Sequence, residues 1–184
     1  MLDISRFMTD GVGVKFPSII QKVQVIKGTA TAVGTQNLTI PSSVVTGNTI
    51  LIISGSVYRR SGGSSAAVGT SKITATLTSG SNIAVVYSDT DGVPDVSQNY
   101  TITVVEFINK IIKSKQIKDT TSVITSVDTA KTIIVPSQII LYLSANSGQD
   151  EYISYARNPD LYLINSTNVG FTSFAGESQI VEFS

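Results

Sequence analysis

The chain has 184 residues, with 13 Lys plus Arg against 13 Asp plus Glu, and it contains no His, Cys or Trp. The charge balance gives no footprint for nucleic acid or an acidic membrane surface. The missing His and Cys exclude the Ser-His-Asp and Cys-His nucleophile systems and nearly exclude zinc, iron and copper sites. Charged residues make up 14 % of the chain, against about a quarter in ordinary globular proteins, which fits either more surface buried than a monomer hides or a Ser/Thr-rich β protein whose surface is simply neutral.

Residues 1–18 read as an extended N-terminal arm. Gly11-Val12-Gly13-Val14 and Phe16-Pro17 break any periodicity. Leu2, Ile4, Phe7, Met8 and Phe16 are costly to leave in water, so the arm is expected to dock on a neighbour, the alternative being that it packs back on its own module. Asp3, Arg6 and Asp10 stand where a signal peptide needs an apolar run. The most apolar later stretch, residues 132–143, is interrupted by Pro136 and falls short of the roughly 20 residues that span a bilayer. The expectation is a protein made in the cytoplasm, without membrane insertion.

From Ile19 onward the signals are β. Lys22-Val23-Gln24-Val25 and Asn37-Leu38-Thr39-Ile40 alternate as half-buried strands do, and Pro41 stops the second. Ile50-Leu51-Ile52-Ile53 is a continuous apolar run, suited to a strand covered on both faces. Residues 73–77 and 83–87 flank Ser79-Gly80-Ser81-Asn82, a hairpin signal. Residues 100–107 close the first half. Residues 108–116 fit either a helical face or a connector entering a strand like 20–25, and the strand is favoured. Further strands are expected at 122–125, 132–135, 139–143, 152–156, 160–164, 168–173 and 179–183.

Three ordered matches mark an internal duplication. Thr46–Leu51 pairs with Thr129–Ile134, Leu77–Ile83 with Leu163–Val169, and Val104-Val105-Glu106-Phe107 with Ile180-Val181-Glu182-Phe183. Short strands, turn residues and almost no helical period then predict an all-β chain. It would hold two tandem small antiparallel β-sandwich modules, residues 19–108 and 109–184, behind the arm at 1–18. Residues 89–95 read as an insertion in the first module.

Candidate chemistry is sparse. Asp89, Asp91 and Asp95 open like a calcium loop, but Tyr100 stands where the bidentate glutamate belongs, so an ordinary turn is favoured. Glu106 and Glu182 invite comparison with a glycosidase pair. Duplicated positions are expected a domain length apart, each glutamate facing solvent or capping a loop contact in its own module. Tyr58, Arg59 and Arg60, with Tyr152, Tyr155 and Arg157 as a second set, are the candidate ligand or interface loops. Gly11-Val12-Gly13 lacks the strand and helix of a phosphate loop. Neither a cofactor nor catalysis is expected.

Val23-Gln24 followed by Gly28, the strand at 49–54, the Leu-Thr-Ser hairpin at 77–83 and the closing Val-Val-Glu-Phe together resemble a repeat of tailed-bacteriophage virion proteins. The second module keeps the hairpin and the ending. It departs at its start, where Gln116-Ile117 replaces Val-Gln and the glycine is missing. The resemblance implies a non-enzymatic structural protein of the virion, in the tail, baseplate, fibre or capsid surface. Implied partners are other virion proteins and further copies of the chain, as a trimer or hexamer. The alternative is a receptor- or glycan-binding module of a tail fibre that contacts host surface polysaccharide.

Overall fold

The computed structural model describes residues 19–57, 69–89, 98–119, 122–145, 152–172 and 176–184. The arm, with Leu2, Ile4, Phe7, Met8 and Phe16, lies outside them. The chain is all-β. Its strands are β1 (Ile20–Ala30), β2 (Gly34–Thr39), β3 (Thr49–Val57), β4 (Gly69–Ser79), β5 (Asn82–Asp89), β6 (Gln98–Phe107) and β7 (Ile112–Lys118). They continue as β8 (Ser122–Val123), β9 (Thr132–Pro136), β10 (Gln138–Ala145), β11 (Tyr152–Arg157), β12 (Leu161–Asn165), β13 (Asn168–Phe171) and β14 (Ser178–Phe183). The stretch after Ile108 is therefore strand from Ile112 onward.

Among the described residues, these strands form four antiparallel sheets. Sheet A has the order β1-β6-β3, sheet B β11-β10-β4-β5-β2, sheet C β7-β14-β9 and sheet D β12-β13-β8. Sheets A and C repeat one pattern down to a bulge. Ile20 and Lys22 pair with Phe107 and Glu106, skipping Gln21; Ile112 and Ser114 pair with Phe183 and Glu182, skipping Lys113. The turn contacts repeat as well. Ile40 N–H donates to Ser81 O and Val44 N–H to Gly80 O; Ile124 N–H donates to Thr167 O and Val127 N–H to Ser166 O.

This register corrects the sequence alignment by one residue. Gln116 is the counterpart of Gln24, opposite Ile180 and Val104 respectively. Both side-chain amides bond one loop residue twice: Gln24 exchanges bonds with Ser42 N–H and C=O, Gln116 with those of Thr125. The glycine has a local reason. Gly28 lies opposite Tyr100, and a Cβ on it would stand 2.3 Å from the tyrosine hydroxyl and 2.4 Å from the ring. Tyr100 is buried and donates to Gln36 Oε1 at 2.8 Å, so the ring is held in place. The second repeat has Gly176 where the first has Tyr100, so it has no such ring to accommodate.

The extra length of the first repeat is corrected too. β5 and β6 are each four residues longer than β13 and β14, while the connection gains two. The added residues mostly extend the ladder rather than a loop.

Packing stacks the sheets in the order B, A, C, D. Between A and B lie Leu51, Ile53, Ile83, Val85, Ile102 and Val104, among others. Between C and D lie Ile180, Val169, Leu161 and Ile124. The opposite faces of A and C meet through Ile50, Val105 and Phe107 against Ile112, Val135 and Val181. Neighbouring residues thus serve different cores, and the apolar run Ile50–Ile53 belongs to a strand covered on both sides.

One hairpin crosses between the repeats. β9 pairs with β14 as far as Pro136, which has no N–H to continue the ladder. Ser137 donates its N–H to Glu177 O and accepts from Ala75 N–H, passing the chain from sheet C to sheet B. β10 then pairs with β4, from Gln138 opposite Thr74 to Leu143 opposite Gly69, and Ile139 enters the core of the first repeat. β11 returns beside β10, and buried Pro159 stands before β12. Residues 109–184 thereby contribute two strands to a sheet founded on residues 19–108. Among the described residues, no helix is long and apolar enough to cross a membrane.

Candidate functional site

The two closing strands place the glutamates. Val105 and Phe107 face sheet C while Val181 and Phe183 face sheet A. Alternation along a strand turns Glu106 and Glu182 to the other face of each sheet. Glu106 Oε1 accepts the Val45 N–H at 2.7 Å, with Lys22 Nζ 3.6 Å from Oε2. Glu182 Oε1 accepts the Asp128 N–H at 3.0 Å and Lys113 Nζ at 2.7 Å, while Oε2 accepts the Ser114 hydroxyl at 3.1 Å. Val45 and Asp128 are the residues that open two equivalent 3-10 turns, Thr46–Asn48 and Thr129–Lys131. The Thr49 and Thr132 hydroxyls donate back to the Val45 and Asp128 carbonyls.

Each glutamate therefore caps a loop contact in its own repeat. The expected domain-length separation is wrong, because the neighbouring rings Phe107 and Phe183 meet edge to face at 5.6 Å. Sheets A and C pack back to back, and direction keeps the carboxylates apart. Both are buried and committed to backbone, an arrangement unlike a pair flanking a glycosidic bond.

A cleft of about 390 Å³ opens between the repeats. Thr46, Gly47 and Leu51 line one side, Lys115, Ile117 and Gln179 the other. Lys115 is the counterpart of Val23, one position before the paired glutamines. Its ammonium donates to Thr46 O at 2.9 Å and Thr49 O at 2.6 Å, across the joint. Burial pushes its pKa down from the ordinary 10.5. A lysine so lowered is a nucleophile candidate where a general base or an electrophile pocket accompanies it. Here two carbonyls hold it, and among the described residues it has no carboxylate partner, so it clamps the turn to the second repeat. Gln179 crosses the same joint, accepting Leu51 N–H at 3.1 Å and donating to Leu51 O at 2.6 Å. Sequence reasoning missed both. The only signal was a lysine and a glutamine at positions that alternation assigns to an apolar face.

Behind the cleft, Glu177 accepts from Ser137 at 3.1 Å and from Thr76 at 3.4 Å. Burial raises its pKa above the ordinary 4.5, against the two hydroxyl bonds. Glu182 moves the other way: the Lys113 hydrogen bond, then the Asp128 N–H, hold it below that value. The two carboxylates give opposite pH dependences. Between its raised pKa and 4.5, Glu177 binds more protons in the folded state, so its contribution improves as pH falls through that window. Glu182 contributes stability that is complete above 4.5 and is lost as pH falls through its depressed folded pKa. Thermal melts from about pH 8 to about pH 3 resolve them. Glu177→Gln should remove the gain on mild acidification, and Glu182→Gln should remove part of the loss at the acid end. The same slope in all three proteins would refute both assignments.

Tyr58, Arg59, Arg60, Asp91 and Asp95 lie outside the described residues, and Asp89 ends β5 opposite Ser71. Among the described residues, no cluster of acidic side chains is arranged to hold a metal ion. Tyr152, Tyr155 and Arg157 lie on β11, opposite Ala145, Tyr142 and Ile140. They are not the counterparts of Tyr58–Arg60, which follow β3, because β3 corresponds to β9 and β11 is the returning strand. Comparison with family models, curated proteins and solved structures finds no match to this chain.

Proposed function

We propose that the chain is a non-enzymatic structural subunit of a tailed-phage particle, assembling through sheet faces and its N-terminal arm. The observation that supports this best is where large apolar side chains are left in water. Val23 and Val25 are exposed on β1, and Val123, Tyr162 and Ile164 are exposed on sheet D. Strand faces of this kind are what an assembling subunit presents to its neighbours. Among the described residues, Glu182, Lys115 and Gln179 are engaged in holding turns and the joint between repeats. Low charge and the sequence resemblance point the same way.

Immunogold labelling of purified particles with antibody raised against the chain tests the reading. Several labels per particle at repeated positions are expected. A chain that stays in the supernatant when particles are sedimented would overturn it.

A further inference from the structure

The two repeats provide an internal control for which residues the fold itself requires. Over β2, β4 and β5 the outer face of sheet B, among the described residues, carries Thr35, Asn37 and Thr39, then Lys72, Thr74, Thr76 and Thr78, then Ala84, Val86 and Ser88, while on β10 Ile140 of the same face is buried, with Gly176 against it. Val86 is its only exposed large apolar side chain among them. Over β2, β4 and β5 the sheet is finished as a terminal layer.

Sheet D is not. The shared hairpin makes Val123 the counterpart of Thr39, Tyr162 of Thr76, Ile164 of Thr78 and Gly170 of Ala84. Val123 is 70 % exposed, Ile164 54 % and Tyr162 46 %. They form one surface: a Cβ on Gly170 would stand 3.0 Å from Ile164 Cδ1 and 3.4 Å from Tyr162 Cζ. The same backbone thus carries threonines in one repeat and exposed apolar groups in the other. Sheets A and C show what such patterning serves in this chain, since β3 and β6 of the one and β14 of the other are apolar on two faces and covered on two faces. Sheet D is patterned as an inner layer that the described residues leave uncovered.

We infer that the outer face of sheet D packs on the outer face of sheet D of a second copy; this rests on the assembly reading above and names one of its contacts. Polarity selects the occupant. Stacking D on β2, β4 and β5 of another copy's sheet B would set Val, Ile and Tyr against Thr, Lys and Ser. D on D matches apolar to apolar, closes as a two-fold contact, and leaves the polar B faces at both ends. The face measures about 250 Å² from strand spacing and rise, well under the roughly 800 Å² per partner of a stable interface. The contact is therefore weak by itself and acts at the local concentrations of an assembly.

Sedimentation equilibrium of the full chain from about 10 µM to about 500 µM tests it. Wild type should shift toward dimer across that range. The variant Val123→Thr, Tyr162→Thr, Ile164→Thr carries the residues of the first repeat, and should associate at least about ten-fold more weakly with unchanged melting. A full-length arm variant, Leu2→Ser, Phe7→Ser, Phe16→Ser, should associate as wild type does. Since the chain has no cysteine, Ile164→Cys gives a second readout that does not depend on the triple variant. It should form a disulfide-linked dimer under mild oxidation, whereas Thr78→Cys on sheet B should not. A wild-type monomer throughout, or equal association of the threonine variant, overturns the inference. Loss of association in both the threonine and the arm variants also overturns it, by seating a neighbour's arm on the face. Failure here with the chain still on particles leaves the structural reading standing, and a persistent dimer absent from particles overturns that reading alone.

Discussion

Phe107→Ala should lower stability by about 3–5 kcal/mol, the usual range for emptying a buried aromatic site. For a chain of this size that is roughly a 10 °C fall in melting temperature. Phe107 is buried between sheets A and C, among Val105, Ile112, Val135 and Val181, with its ring edge to face against Phe183. The cavity would be bounded on both sides by β-sheet, which relaxes little to fill it. A double-mutant cycle with Phe183→Ala isolates the ring pair, expected at about 0.5–1.5 kcal/mol. Unfolding of Phe107→Ala should remain a single transition, because β10 still holds the second repeat in sheet B. Two separated transitions in calorimetry would show that the A–C face, rather than the crossing hairpin, couples the repeats. A loss below about 1 kcal/mol would show that the site is not tightly packed.

Much of the fold was legible because strand signals are local. The alternation in β1 and β2, the hairpin at residues 79–82 and the run Ile50–Ile53 each follow from side chains within a few residues. The run even carried its own packing, since four apolar residues in a row leave no face for water. Where the halves meet was not legible. Val105 and Val181 read as ordinary closing-strand residues, and nothing in either strand says that its second face belongs to the other repeat. The crossing at Ser137 was partly visible as Pro136, a proline that reads equally well as a plain strand end. That Ser137 hands the chain to another sheet depends on Ala75 and Glu177, residues far away in sequence.

The candidate site was less legible than the fold, for a related reason. Glu106 and Glu182 stood out because they repeat, and their repetition reflects one shared structural task, holding the start of a 3-10 turn. Lys115 and Gln179 carry the joint between the repeats. They do so as exceptions, replacing the Val23 and Thr103 found at the same positions in the first repeat. A duplication scan rewards what is the same, whereas the joint and the exposed face of sheet D are built from what differs.

Gln179 gives the sharpest test of that joint. Leu51 lies on β3, an edge of sheet A, and its N–H and C=O both bond the Gln179 amide. Both residues are buried in the wall of the cleft, so water solvates the freed groups far less than it would in an exposed loop. Gln179→Leu keeps the bulk and leaves two backbone groups unpaired, at about 1–3 kcal/mol each, for an expected loss of about 2–6 kcal/mol. Gln24→Leu and Gln116→Leu remove the same two-bond arrangement from exposed loops, where water takes over, and should cost about 1 kcal/mol each. Gln179→Glu discriminates further. Its carboxylate can accept from Leu51 N–H but meets the Leu51 carbonyl with no proton to donate. This variant should be less stable than wild type at neutral pH and recover as pH falls, when the protonated acid donates to Leu51 O. Chemical denaturation of the variants at neutral and acidic pH measures all of this. Equal losses at positions 24, 116 and 179, with no acid recovery of Gln179→Glu, would mean that the amide at the joint acts only as a surface contact.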